Sequence, residues 1–338
     1  MIATEADRAD WDRFVTSHPD AAGYHEWIWR DVIARAFGHR AHYLLTRTSN
    51  GEISGVLPII EIRSAIFGRS FTSLPFVNFG GVLASSQDAA EALLEEGGKL
   101  AGSRGMKHLE LRHIGRRFDR LPCRQHKVTM RLPLAAAGMW ERIDRKARNQ
   151  VRKAEKSGLG VLRGGAELVG AFYQVFTRNM RDLGTPVYSR GLFEEVMRAL
   201  PGRARIIVVS LGSTPVAAGL TIRTRDLIEI PWASSIRDYN SLCPNHLLYW
   251  HAIETAAAEG VTTFDFGRST PGEGTFKFKE QWGAEPLALH WEYWLAPGSS
   301  LPDQSPKNPK FRLMIETWKR LPLWLANAAG PMIVRNIP

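Results

Sequence analysis

The sequence predicts an α+β chain in which one unit is repeated in tandem, and three observations lead there. A hairpin pattern occurs twice. Residues 41–47 alternate as a strand, Asn50-Gly51 forms a tight turn and residues 53–62 return; residues 205–211, Gly212-Ser213 and 216–223 do the same in the second half. Each hairpin leads to a short segment with proline third, Ser73-Leu-Pro-Phe76 and Glu229-Ile-Pro-Trp232. A helix and a further strand follow in both halves, His108-Leu-Glu-Leu-Arg112 and Thr263-Phe-Asp-Phe-Gly267, and matching segments lie about 155 residues apart. The strands come as a meander before a single helix, unlike the strict alternation of a doubly wound sheet.

Taken in order, Asp88 is positioned to cap a helix that runs to residue 101 and is ended by Gly102 and Gly105. A strand spans 127–134, and residues 135–138 mark the end of the first unit. The next stretch, 140–157, is helical and strongly basic. Ile143, Ala147, Val151 and Ala154 share one narrow apolar face, opposite Arg145, Arg148, Asn149, Arg152 and Lys156, and Gly158 stops the helix. Glu141, Asp144 and Glu155 are too few to balance these charges, which points the basic face at an anion. An aromatic-rich helix, 168–183, leads into the turn-rich Asp182-Leu-Gly-Thr-Pro-Val-Tyr-Ser-Arg190. A helix over 244–258 ends at Gly260, a strand covers 261–266, and a Gly/Pro loop then delivers Phe278 and Lys279 just before Trp282-Gly283.

Composition sets the outer limits. With 338 residues the chain can bury one large core or two ordinary ones. No apolar run approaches the roughly 18 residues of a membrane span, and residues 1–11 are acidic and polar, unlike a secretory signal. A cytoplasmic protein is expected. The two cysteines, Cys123 and Cys243, form no CxxC, and the ten histidines show no ligand spacing, so no metal is expected. Walker, Rossmann and GxSxG motifs are missing. The net charge of +10 suits an anionic partner such as RNA, a nucleotide, a pyrophosphate-linked glycan or an anionic membrane face.

Several of these segments resemble FemAB-type aminoacyl and acyl transferases, relatives of the Gcn5-type N-acetyltransferases. The resemblance rests on Phe278-Lys279-x-x-Trp282-Gly283, on Lys146-x-Arg148-x-x-x-Arg152-Lys153-Ala154, and on the order of elements from Tyr24 to Trp294. Residues 182–190 resemble the FemAB-like proteins of exosortase/PEP-CTERM and exopolysaccharide systems, which also lack a coiled-coil arm. The resemblance implies tandem Gcn5-related folds: a first over 1–136, a second over 137–298 carrying the site, and a linker with an amphipathic tail over 299–338.

It also implies the chemistry. Acyl transfer to an amine requires a held donor carbonyl, a donor for its oxyanion and removal of a proton. Lys279 would stabilise the oxyanion or a nearby phosphate, and Phe278 would pack against the acceptor or a terminal base. Asp265 either orients the amine or forms a structural ion pair, depending on the face it occupies. Arg268, at the end of the same strand, is the better candidate to face the cleft. Lys146, Arg148 and Arg152 would hold a phosphorylated group, while Tyr188, Trp232 and Asn245 would line the pocket.

The loop Arg237-Asp-Tyr-Asn-Ser-Leu-Cys-Pro-Asn-His246 lacks the glycines of an acetyl-CoA loop, and Phe79-Gly-Gly81 in the first half is no match either. These departures put acetyl-CoA binding in doubt, and the FemAB resemblance implies aminoacyl-tRNA as the alternative donor to acyl-CoA, with no tightly bound cofactor expected. The acceptor that the resemblance implies is an amine on a cell-envelope glycan or peptidoglycan-type precursor, phosphorylated or lipid-linked. The alternatives are an acyl-CoA-dependent acetyltransferase of exopolysaccharide synthesis and a non-catalytic scaffold of the same machinery. In the tail, Phe311, Met314, Ile315, Trp318 and Leu321 fall at helical spacing, and Gly330-Pro331 stops a second short apolar piece. This tail either packs on the core or rests on the inner membrane.

Overall fold

The computed structural model describes residues 1–64, 68–135, 137–302 and 309–337, with the side chains of 309–312 outside that set. Residues 303–308 of the expected linker therefore fall outside the described residues, as do Ala136 and the Phe311 side chain. There are two compact units. One is Met1–Lys127 with Ala288–Asp303 and Arg335–Pro338; the other is Val128–Leu287 with Gln304–Val334.

The first unit opens with α1 (Arg8–Ser17) and α2 (Ile28–Phe37). Short strands follow: β1 (Arg40–Ala41), β2 (Leu44–Arg47), β3 (Ile53–Leu57), β4 (Ile60–Ser64) and β5 (Gly68–Thr72). The run expected as one return strand breaks between β3 and β4, at Pro58 and Ile59, because proline has no N–H for a ladder. β3 pairs with β2 and with β6 (Leu83–Ala84), whereas β4 pairs with β1 and β5. Helix α3 (Gln87–Ser103) leads to β7 (His108–Ile114), which runs parallel to β5 through Phe71 opposite Leu109 and Thr72 opposite Glu110. The cap of α3 is Ser86, whose Oγ accepts from Ala89 N at 3.2 Å, rather than Asp88. Residues 73–76 turn instead of extending, with Leu74 and Phe76 left-handed at φ 51° and 71°. A strand from the far end of the sequence, Glu285–Leu295, lies antiparallel beside β7.

In the second unit the sheet order is β8 (Cys123–Pro133), β13 (Thr263–Ser269), β12 (Leu227–Ser235), β11 (Thr214–Thr224), β10 (Ala204–Leu211) and β9 (Leu159–Gly164). Its helices are α4 (Met139–Arg142), α5 (Arg145–Lys156), α6 (Val169–Leu183), α7 (Arg190–Ala199), α8 (Pro244–Ala258) and α9 (Gly274–Glu280). β12 and β13 form its parallel pair, joined by α8, as β5 and β7 are joined by α3. Each unit thus holds one parallel pair spanned by one helix, with an antiparallel strand beside the second member. This is the duplicated α+β architecture.

Alternation along β10 splits the core. Ile207 and Val209 join Leu247, Leu248, Ile253 and the apolar face of α5 in one cluster, while Trp232 on β12 meets Phe193 of α7 edge-on at 5.4 Å. Two tail helices, α10 (Pro309–Lys319) and α11 (Leu323–Val334), belong to this unit. Arg181 Nη1 donates to Leu321 O at 3.2 Å, and a side chain at Gly330 would meet Val187 N at 2.9 Å. α11 continues through Gly330-Pro331, where the sequence reads as a stop. No helix among the described residues is long and apolar enough to cross a membrane.

Candidate active site

The site is built where β12 and β13 part. Their pairing covers Leu227–Thr263, Ile228–Phe264 and Glu229–Asp265 and goes no further, although both strands continue for several residues. Each strand carries an irregularity just past that point. The register of β12 against β11 shifts around Ile230 and Pro231, and Pro231 has no N–H to offer. On β13 the register against β8 shifts between Asp265 and Arg268, where Gly267 takes φ 71°, a conformation glycine adopts without strain. The two bulges turn the strands apart, and the backbone of β12 beyond Glu229 has no strand partner on its β13 side.

Asp265 holds the second bulge. Its buried carboxylate accepts from Thr129 Oγ1 at 2.5 Å, Gly267 N at 2.8 Å and Arg131 Nε at 2.9 Å. Both oxygens are engaged, an arrangement that matches the second of the two readings of Asp265, the structural ion pair. Lys279 closes the same bulge from the other side. It is 6% exposed, and Nζ donates to Gly267 O at 2.8 Å and Arg268 O at 3.1 Å. An ammonium has three donors, so one remains. Burial lowers its pKa to about 8, while Asp265 and Glu229 pull the other way and Arg268 adds to the lowering. Lys279 and Phe278 ride on α9, not on the loop read from the sequence; the Gly/Pro residues lie before the helix, whose N-cap is Glu273.

Aromatic residues wall this corner. Phe278 is half-buried, with its ring edge-on to His246 at 5.0 Å and to Tyr249 at 5.2 Å, and Tyr249 stacks on Phe266 at 5.3 Å. His246 sits in the first turn of α8. Its Nε2 is buried without a hydrogen-bond partner, and burial pushes its pKa down to about 4, so the imidazole is neutral at pH 7. Before it, residues Arg237–Leu242 form a 3-10 helix that turns Tyr239 N to Ile236 O and Cys243 N to Asn240 O, and Cys243 occupies the left-handed region at φ 59°. Those N–H groups are spent within the loop. No group of three or more His, Cys, Asp or Glu among the described residues could hold a metal.

Residues 142–280 match the family model for an acetyltransferase (GNAT) domain. That span holds the parted strands, α8 and Lys279. Over that span the chain is similar to GNAT-type acetyltransferases. Three solved structures share the fold of the whole chain. FemX matches at 16% identity and TM-score 0.65, covering 93% of this chain and 99% of its own. L-PGS from Bacillus licheniformis matches at 12% and 0.57, covering 95% and 100%. A tandem GNAT protein from the clavulanic acid biosynthesis pathway matches at 11% and 0.53, covering 88% and 96%. A comparison with curated proteins gives no match. The duplicated fold is thus of the acyl-CoA N-acyltransferase type, and the chain carries an acyltransferase domain.

Within the matched span the basic helix lies beside the site. Asp144 caps it, accepting from Lys146 N at 2.6 Å, and Ile143, Ala147, Val151 and Ala154 are buried as their spacing requires. Lys146 is exposed, and its charge adds to the lowering of the His246 pKa. Arg148 is half-buried, with an Nε that has no hydrogen-bond partner. Arg152 lies over Trp140 at 5.3 Å. Asn245 is half-buried in the first turn of α8, and Arg268 is exposed at the end of β13. Tyr188 and Trp232 belong to another cluster, with Phe176 and Phe193, on the α6 and α7 side of the sheet. The bulge at Pro231 separates their face from that of His246.

The sequence reading missed His246, Tyr249 and Glu229. His246 stands at the end of a loop that was itself singled out, but nothing in the sequence indicates that α9 buries it. The matching loop of the first unit is closed. Val82 N donates to His113 Nε2 at 2.9 Å, His113 Nδ1 donates to Glu292 at 2.6 Å, and a side chain at Gly81 would come within 2.2 Å of the His113 ring.

Proposed function

We propose that the chain is a FemAB-like N-acyl or aminoacyl transferase acting on an amine of a cell-envelope glycan or peptidoglycan-type precursor. The observation that carries this reading is Lys279, a buried ammonium with one unused donor at the parting of β12 and β13. The free edge of β12 holds the extended donor, and the spare N–H of Lys279 meets the oxyanion as the amine attacks the carbonyl. The neutral imidazole of His246 takes the amine proton and returns it to the leaving oxygen of the donor ester (the sulfur, if the donor is a thioester) as the acyl bond to the donor breaks. Aminoacyl-tRNA is the favoured donor because the 237–243 loop is short of free N–H groups for a pyrophosphate, while Lys146, Arg148 and Arg152 offer cations for an RNA backbone. The likeness in fold to FemX and L-PGS supports an acyl or aminoacyl transferase.

The acceptor is phosphorylated or lipid-linked. Leu313, Trp324 and Met332 on the tail helices are each 71% exposed, and they are the contacts a peripheral protein would set against a membrane carrying such an acceptor. The resemblance of 182–190 favours an exosortase-associated exopolysaccharide setting. Acyl-CoA as donor is the second reading, favoured by the match to the acetyltransferase family model. A donor screen separates the two: purified protein is incubated with acyl-CoAs and with charged tRNAs beside an amine-bearing precursor, and mass spectrometry follows the acyl group. Transfer from charged tRNA supports the proposal. Transfer from acyl-CoA alone replaces it with the second reading, and transfer from neither removes it.

A further inference from the structure

The antiparallel order of β9, β10 and β11 gathers arginines that are far apart in sequence. Ile207 pairs with Arg163, Arg205 pairs with Thr221, and Arg223 N reaches Arg203 O at 2.9 Å, so all three strands bring arginine to the same end of the sheet. Arg163, Arg203, Arg205 and Arg223 line a hollow of about 200 Å³ in the second unit. Glu259, just past the end of α8, is the one carboxylate among its lining residues.

Glu259 occupies the arginines as an anion would. One of its oxygens pairs with Arg205 Nη1 and the other lies 3.5 Å from Arg223 Nη1. Arg163 Nη1 donates to Thr255 Oγ1, and Arg203 is braced by Nε donating to Arg223 O at 3.0 Å. Three of these guanidinium groups, those of Arg163, Arg205 and Arg223, stand against the one lining carboxylate and leave an excess of positive charge around the hollow. Planar guanidinium forks match the oxygens of phosphate in pairs, which ammonium groups do not.

We propose that this hollow binds the phosphate or diphosphate group of a small soluble ligand, with Glu259 standing in for the anion when the site is empty. Its volume is sufficient for a phosphoryl or diphosphate group. The site is separate from the acyl-transfer corner. His246 and Tyr249 on α8 face Phe278, while Thr255 and Glu259 lie toward the other end. Residues 246 and 259 are about 20 Å apart along a helical rise.

The test is calorimetric titration of the full chain with inorganic pyrophosphate and with orthophosphate. Saturable binding to the wild type is expected. Glu259→Gln should bind roughly tenfold more tightly, because a competing charge is removed and two arginines are released. Arg205→Gln with Arg223→Gln should bind at least about tenfold more weakly, and Lys279→Met should bind as the wild type does, whatever becomes of acyl transfer. Glu259→Gln is a gain of binding, so it stays informative if the double variant folds poorly. Absence of saturable binding in both the wild type and Glu259→Gln overturns the proposal, as does unchanged binding in a folded double variant. Arginine changes that weaken tRNA or anionic-vesicle binding while pyrophosphate fails to bind would also overturn it, by assigning the cluster to a macromolecule or a membrane.

Discussion

Lys279 Nζ donates to the carbonyl oxygen of Gly267 at 2.8 Å, so the lysine offered for catalysis also pins the left-handed glycine that turns β13 away from β12. Without Lys279, the buried carbonyl of Gly267 loses this donor, at a cost of about 1–3 kcal/mol.

Lys279→Met should lose transfer by about 10²–10³-fold and should also change the pH dependence of stability. The folded-state pKa, about 8, lies below the unfolded reference of 10.5, so the unfolded chain binds the extra proton between those values. Wild-type stability therefore gains from this group as pH rises from 8 towards 10.5, and the variant lacks that gain. Denaturant titrations of both proteins at pH 7 and pH 10 should show the difference move in favour of the wild type by about 2 kcal/mol. If the ammonium is the active form, turnover falls above about pH 8; a rise there would make Lys279 a base instead.

Asp265→Asn tests the bulge. The change leaves Arg131 without its charge partner and weakens the bond to Gly267 N, so urea unfolding should show a loss of about 3 kcal/mol. Turnover should fall with the pH profile unchanged in shape, since Asp265 positions the strand and exchanges no proton. A shifted pH profile would restore it to the chemistry.

His246→Ala should lower kcat by about 10²–10⁴-fold with little change in KM if the imidazole takes the amine proton. With a pKa near 4, wild-type His246 stays neutral from pH 5 to 8 and should contribute no limb to the rate profile in that window. Unchanged kcat in the variant would leave His246 as packing for Phe278.

Arg148→Glu with Arg152→Glu tests the donor class. The apolar face of α5 is buried on the other side, so the fold should survive with a loss near 1 kcal/mol from the Arg152–Trp140 contact. tRNA binding should fall sharply, and in the wild type log affinity should fall against log salt with a slope of several units, whereas a single nucleotide gives a shallow one. Binding indifferent to the reversals and to salt would make this helix a solvated face.

What the sequence determined by itself follows from local rules. The apolar period of Ile143, Ala147, Val151 and Ala154 and the span of α8 depend on helical spacing and on end signals a few residues away, and the structure agrees with them. The duplicated order was legible because the same turn and strand patterns occur twice. Tertiary structure decided what depends on partners distant in sequence. Asp265 became a structural anion because β8 brings Thr129 and Arg131 to it, and His246 became part of the site because α9 folds Phe278 against it. Pro58 and Pro231 are visible in the sequence as residues without an N–H. Only the pairing of their neighbours made one a switch between sheets and the other the point where β12 leaves β13. A missing donor is a local property, but its consequence depends on which strand lies opposite.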